Sequence, residues 1–441
     1  MSLVVRARPA PEPMAAPEAR RRSLMPSRVL VPIAILALAA GFRLWNLASP
    51  DMTIADEAYY AADAENYLGG GVSYTPAPFE TIPEESTWMH PPLGKELIAL
   101  GVGPLGVRAI GWRLPSAVAG VVGVLLVYLL ALALWRSVAW AGLASLFIAV
   151  DGLHVVMSRL AMLDIFLAMF VTAGFLFVVR ELSPGRRAGP AWTTRFGGRE
   201  LVLAGMMFGC AVATKWSGAF ALAAAVAILV VNRRPSRAIV LSLVVVPAAV
   251  YLLAYFPFWL AHGPDVIDFV RLQGHMLARQ LGTTSANPLA SSPLSWPPML
   301  EPLVAYPTTT APIPRGAVRI VAVGNPVLWW GFLAGLGPLI WAAVRQADRG
   351  ARIAVASYLS LWAPWLVFGR TEYFFYMTPA VPFMAIGLVA AIRTLPSMRR
   401  GIAVALASLA GAGAIAFAPV WLGIDVSARW YDAIRLLPSW R

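Results

Sequence analysis

A succession of uninterrupted apolar runs limits, more than any other feature, what this chain can become. Stretches such as VLVPIAILALAAGF (29–42) and AIVLSLVVVPAAVYLLAYF (238–256) approach the roughly 20 residues that a helix needs to cross a hydrocarbon core. They lack the polar/apolar alternation of barrel strands. Charged residues are only 13% of the 441, against about 25% in a soluble domain. The expected fold class is therefore an all-α polytopic membrane protein. Hydropathy suggests about eleven transmembrane helices, near 28–46, 112–134, 137–153, 161–180, 200–214, 217–232, 238–257, 326–344, 353–369, 373–392 and 401–423.

The linkers test that reading. Arg20–Arg22 and Arg28, Arg136, Arg186, Arg187 and Arg195, Arg233, Arg234 and Arg237, Arg345, Arg349 and Arg352, then Arg393, Arg399 and Arg400 all fall on one side if the spans alternate. Basic linkers face the cytoplasm. The expected localisation is thus the plasma membrane, multi-pass, with the N terminus cytoplasmic and the C terminus external. Residues 1–27, rich in Pro and Arg, read as a disordered cytoplasmic tail, and 28–441 as one transmembrane domain. The net charge of +13 is accounted for by these linkers, so no nucleic-acid partner is expected. Cys210 is the sole cysteine, which excludes an intrachain disulfide.

Two external loops, 47–111 and 258–325, are too long to be simple connectors. In the first, TIADEAYYAADAENYLGGG reads as an amphipathic helix capped by Thr53, and HPPLGKELIALG as a second, both lying along the membrane surface. On this topology Asp56, Glu57, His90, Lys95, Arg159, Asp164, Lys215, Arg370 and Glu372 all come out external. Charges at the edge of a membrane are costly unless paired or solvated, so their gathering on one face predicts a single cavity. Asp56-Glu57 is a candidate general base and its neighbour, or else two acids favoured by a helix N-terminus. Arg159, Lys215 and Arg370 are candidates for a phosphate site, with head-group snorkelling as the plainer alternative. Lys95 and Lys215 are the only lysines in an Arg-rich chain, and lysine is a compact phosphate binder. Arg113 is either an anchor or a further phosphate ligand. Asp164 is expected to hold Arg159, and Tyr376, in FGRTEYFFYM, to line the site. His262 and His275 make a metal between the loops conceivable, without zinc spacing. No P-loop or Rossmann fingerprint is present; no cofactor is assigned and a divalent cation is left open.

Taken together, ADEAYYAADAENYL, WMHPPLGKELIALG, GWRLPSAVAG, SRLAMLDIFLAMF, ATKWSGAF, GNPVLWWG, GRTEYFFYMTPAVPF and the closing WYDAIRLLPSW resemble, in order and spacing, the protein O-mannosyltransferases, actinobacterial-type members above all. The resemblance spans about 40–441. It implies a membrane glycosyltransferase of the C superfold that moves mannose, with inversion, from polyprenyl-phosphate mannose to Ser or Thr hydroxyls of secreted or membrane proteins. It makes Asp56 the general base and Glu57 its partner, puts Lys215, Arg113, Arg159 and Arg370 around the donor phosphate, and sets His90 and Lys95 on the loop bordering the site. The chain lacks the lumenal domain of eukaryotic members, and LSWPPMLEPLVAYPTTT departs from the family's sequence, so acceptor preference does not carry over. Two other classes compete. A related enzyme adding an aminosugar to a membrane lipid would share the site. A transporter would need midplane charges and inverted repeats, and the sequence offers neither.

Overall fold

A computed structural model describes residues 17–69, 89–183, 198–232, 236–282, 287, 289–306 and 319–440, with side chains from residue 28 onward. Helix α1 (Pro17–Leu44) begins inside the stretch expected to be a tail, so 17–27 are helical; residues 1–16 lie outside the description. The first loop holds α2 (Glu57–Gly69) and α3 (Leu93–Leu105). Helix α2 starts at Glu57 and Thr53 is exposed, which corrects the expected cap: the chain turns once more, through Ala55 in the left-handed region, before it becomes helical. Next come α4 (Ala109–Trp135), α5 (Val138–Ala149), α6 (Gly152–Arg159), α7 (Leu163–Glu181), α8 (Arg199–Thr214) and α9 (Gly218–Asn232). Helices α10 (Arg237–Val240) and α11 (Val246–Ala254) join through a π turn.

The second loop carries α12 (Phe256–His262) and α13 (Val266–Gly282), then an antiparallel hairpin of β1 (Leu303–Tyr306) and β2 (Ile320–Ala322). The hairpin corrects the purely helical expectation: LVAY and IVA pair with one another, and their buried side chains join the main apolar core. The remainder is α14 (Pro326–Ala334), α15 (Leu336–Val344), α16 (Arg349–Trp362), α17 (Val381–Arg393), α18 (Arg399–Leu422) and α19 (Ala428–Ile434).

Among the described residues, five helical segments are long and apolar enough to cross a membrane, and two bent pairs raise this to seven. The other expected spans coincide with α1, α8, α9 and α16. Helices α8, α9 and α16 have 16, 15 and 14 residues, short of the roughly 20 a full crossing takes.

The bent pairs show how a break is tolerated in an apolar bundle, where every backbone group needs a partner. Helices α5 and α6 meet at 59°. Asp151 caps α6, with Oδ1 accepting from the His154 N–H at 3.0 Å. Its Oδ2 accepts from Asn325 N at 2.9 Å and Trp329 Nε1 at 2.8 Å. Arg43, fully buried, donates to the freed carbonyls of Ile148 and Ala149 and meets His154 Nδ1 at 2.9 Å. Asn325 caps α14 and also donates to Val150 and Ala410 carbonyls. This knot ties α1, α6, α14 and α18 together.

Arg393, after α17, pairs with Asp348, before α16, at 3.2 Å and covers the Trp135 ring at the end of α4. Three linkers expected on one side therefore meet in space.

Candidate active site

Glu57, the first residue of α2, is fully buried. Its Oε1 accepts from Arg113 Nε at 2.9 Å and Ala161 N at 2.8 Å; Oε2 accepts from Arg113 Nη2 at 2.8 Å and Ile54 N at 2.9 Å. Arg113 also donates to the carbonyls of Leu47, Pro50 and Met52. Its five N–H groups are thus all engaged. That corrects the expectation of phosphate binding by Arg113: the pair is a clasp pinning the loop before α2 to α4 and to the turn between α6 and α7. Arg159 is used similarly. Its guanidinium donates to the carbonyls of Phe42, Arg43, Trp45 and Asn46, ending α1, and it does not line the cavity described below. The clasp leaves Asp56, one residue earlier, free to point elsewhere.

Asp56 is half-buried and bonded to the Tyr60 side chain one turn along α2, with Lys215 and Asp164 near enough to act on its charge. Burial pushes its carboxyl up to about 6, against the pull of Lys215. Lys215 ends α8, and its Nζ meets Asp164 Oδ1 at 2.9 Å and Oδ2 at 3.0 Å. Asp164 therefore holds Lys215 and not Arg159, whose guanidinium is taken up by the carbonyls at the end of α1. Nζ also lies 4.3 Å from the centre of the Tyr376 ring. Arg370 lies 6.0 Å from the centre of the same ring, donates to the Tyr376 hydroxyl at 3.3 Å, and donates to Gln280 Oε1. Tyr376 thus touches both cations of one shared cavity.

His90 stands against Tyr60, ring centres 6.2 Å apart. Burial, then Lys215, Lys95 and Arg370, hold its imidazole well below the usual range, so it is neutral at pH 7. Lys95, on α3, is buried and paired with Asp63 Oδ2 of α2 at 3.0 Å, fastening the two loop helices together. Glu372 does not pair with Arg370. Its Oε1 is buried without a partner and burial pushes the carboxyl up to about 7. Among the described residues no cluster of three His, Cys, Asp or Glu could hold a metal; His262 stacks on Phe258 at 4.7 Å.

Lys215, Arg370, His90 and Tyr376 line a cavity of about 220 Å³. Its other walls are mainly apolar: Trp216 and Phe220, Met276, Leu277 and Leu281 of α13, and Trp365 and Phe368. Two cations at the head of an apolar slot suit an anionic head on a hydrocarbon tail. Sequence reasoning missed Asp63, Tyr60 and the whole α13 wall. The signal was present: Phe269, Leu272 and Met276 are buried at helical spacing, and Gln280 continues the stripe with a polar residue.

Residues 102–269 match the family described as dolichyl-phosphate-mannose-protein mannosyltransferase, and 266–440 the C-terminal four-transmembrane region of protein O-mannosyltransferase. A polyprenol-phosphate-mannose–protein mannosyltransferase of Mycolicibacterium smegmatis is 31% identical over 92% of each chain. One from Mycobacterium tuberculosis is 30% identical over 93% of this chain and 91% of its own. The fold is that of the Saccharomyces cerevisiae Pmt1–Pmt2 O-mannosyltransferase complex bound to the sugar donor (TM-score 0.77, 13% identity, 95% and 94% covered). It is shared more loosely with ArnT of Cupriavidus metallidurans bound to undecaprenyl phosphate (0.62, 16%, 91% and 77%). The chain is a membrane glycosyltransferase and belongs to the protein O-mannosyltransferase family.

Proposed function

We propose that the chain transfers mannose from polyprenyl-phosphate mannose to Ser or Thr hydroxyls of secreted or membrane proteins, with inversion at the anomeric carbon. The observation that carries the reading is the placement of a half-buried, elevated carboxyl, Asp56, within electrostatic reach of a cation on the wall of an apolar slot. In the reaction the acceptor oxygen attacks the anomeric carbon as the bond from that carbon to the phosphate oxygen breaks. Asp56 takes the hydroxyl proton. The bonding pair leaves with the polyprenyl phosphate, whose charge Lys215 and Arg370 stabilise. Phosphate is a good leaving group, so the second carboxylic acid of an inverting glycoside hydrolase is not required. Glu57 and Arg113 act by positioning Asp56; Arg159 closes α1 beneath them, and Lys95 keeps the His90 loop on α2. The apolar walls take the first isoprene units.

The N terminus is cytoplasmic, with about eleven crossings leaving the C terminus and the site external. Residues 28–441 form one transferase domain. The meeting of Trp135, Asp348 and Arg393 at a single end supports that sidedness.

Purified chain given polyprenyl-phosphate mannose radiolabelled in the sugar and a Thr-containing peptide tests the assignment. Label moves to the peptide if the reading is right. Label recovered only in lipid would make this a lipid-modifying relative instead.

A further inference from the structure

The geometry points to Gln280 as a positioning residue that pre-sets the phosphate-binding cation Arg370 and the backbone at Met89, beside His90, before the lipid donor arrives. This rests on the function proposed above and adds a role to a residue outside its charged set.

Helix α13 is amphipathic and seated by its buried face. Phe269, Leu272 and Met276 pack with Tyr255 and Phe258 in a cluster separate from the main core. Gln273 accepts from the Tyr251 hydroxyl at 2.6 Å, which in turn accepts from Trp216 Nε1 at 2.9 Å. The seat fixes where the next turn of α13 lies. There an apolar residue would continue the buried stripe, but Gln280 stands instead and lines the cavity.

Both ends of its amide are used. Oε1 accepts from Arg370 Nη1, and Nε2 donates to the Met89 carbonyl at 3.1 Å. One side chain therefore links three parts of the chain: α13, the extended segment carrying Arg370, and the residue before His90. Arg370 lies outside regular secondary structure, and a free arginine side chain carries about 2 kcal/mol of rotamer entropy. Its remaining bonds, to the Tyr376 hydroxyl at 3.3 Å and the Thr371 carbonyl at 3.4 Å, are long. Fixing it in advance lowers the cost of capturing a phosphate. A neutral amide does so without cancelling the guanidinium charge, which a glutamate at 280 would.

The test uses full-length protein in detergent and undecaprenyl phosphate as probe, with binding measured by isothermal titration calorimetry. Gln280→Met keeps the length and volume but removes both hydrogen bonds. Binding weakens roughly tenfold, the lower end of what one hydrogen bond to a charged group is worth, and the donor KM rises in step. The acceptor KM and the unfolding midpoint stay at wild-type values. Gln280→Glu keeps an acceptor for Arg370 but neutralises it, and binds more weakly than Gln280→Met. In an Arg370→Met background, Gln280→Met weakens binding by less than about twofold, because the pair acts as a unit. Wild-type affinity in Gln280→Met overturns the proposal. So does a loss that multiplies fully with Arg370→Met, or one matched by a lower unfolding midpoint and a raised acceptor KM. Because the probe carries no sugar, the binding arms stand even if mannose never reaches a peptide, which keeps failure here distinct from failure of the assigned activity.

Discussion

Asp56 and Glu57 are adjacent, alike in charge and opposite in use. Glu57 has both oxygens filled by Arg113, Ile54 and Ala161, so it is held in one place. Asp56 has burial raising its carboxyl to about 6 and only partial compensation from Lys215. A base works as the carboxylate, so kcat/KM rises with pH through a limb near 6 and is flat above it. A pH–rate profile that stays level between 5 and 8 contradicts this. Asp56→Asn lowers turnover on the order of 10²- to 10⁴-fold, while undecaprenyl phosphate binding, read by calorimetry, stays within about twofold because the amide keeps the shape; undiminished turnover removes Asp56 from the mechanism. The sequence marked both acids, since charges beside apolar runs stand out. The residue pattern by itself could not rank them, though the family resemblance put Asp56 first, because the ranking depends on which carboxylate Arg113 reaches, and Arg113 lies 56 positions beyond Glu57.

At the scale of elements, the loop helices are fastened by paired buried charges: Glu57–Arg113 between α2 and α4, Asp63–Lys95 between α2 and α3, and Asp164–Lys215 between α7 and α8. Removing one partner leaves the other buried and alone, at a cost of about 3–5 kcal/mol. Arg113→Met should therefore lower the thermal midpoint in detergent by about 5 °C. An unchanged midpoint with a raised donor KM would return Arg113 to the phosphate. The helices α2 and α3 were legible from their spacing and from the glycines and prolines at their ends, although the Thr53 cap was not borne out. The breaks between α5 and α6 and within 326–344 were not, because hydropathy reads straight through them, although Asp151-Gly152 and Gly335-Leu336-Gly337-Pro338 stand at the two bends. Asp151 and Asn325 sit in apolar surroundings, and their value lies in each other: Asn325 N donates to Asp151 from 174 positions away. The hairpin was missed for a related reason, its strands being too short to read without their partner.

Over the whole molecule, alternating arginine linkers and external acids amount to a prediction about two faces. Cys210 is the single cysteine, so Cys210→Ala gives a background in which one new thiol reports one location. Met52 is 50% exposed in the first loop and Met398 is 63% exposed between α17 and α18. A membrane-impermeant maleimide labels Met52→Cys in intact cells and Met398→Cys only after permeabilisation; the reverse pattern would turn the protein over and place the active site in the cytoplasm.

The account depends most on where a lipid phosphate sits. A structure of the protein with undecaprenyl phosphate bound should show the phosphate oxygens within hydrogen-bond reach of Lys215 Nζ and Arg370, with the first isoprene units along Phe220, Trp365 and α13 and Asp56 facing the phosphate across the site. A phosphate held instead by Arg113 and Arg159, with Lys215 still closed on Asp164 and the slot beside Tyr376 empty, would contradict it.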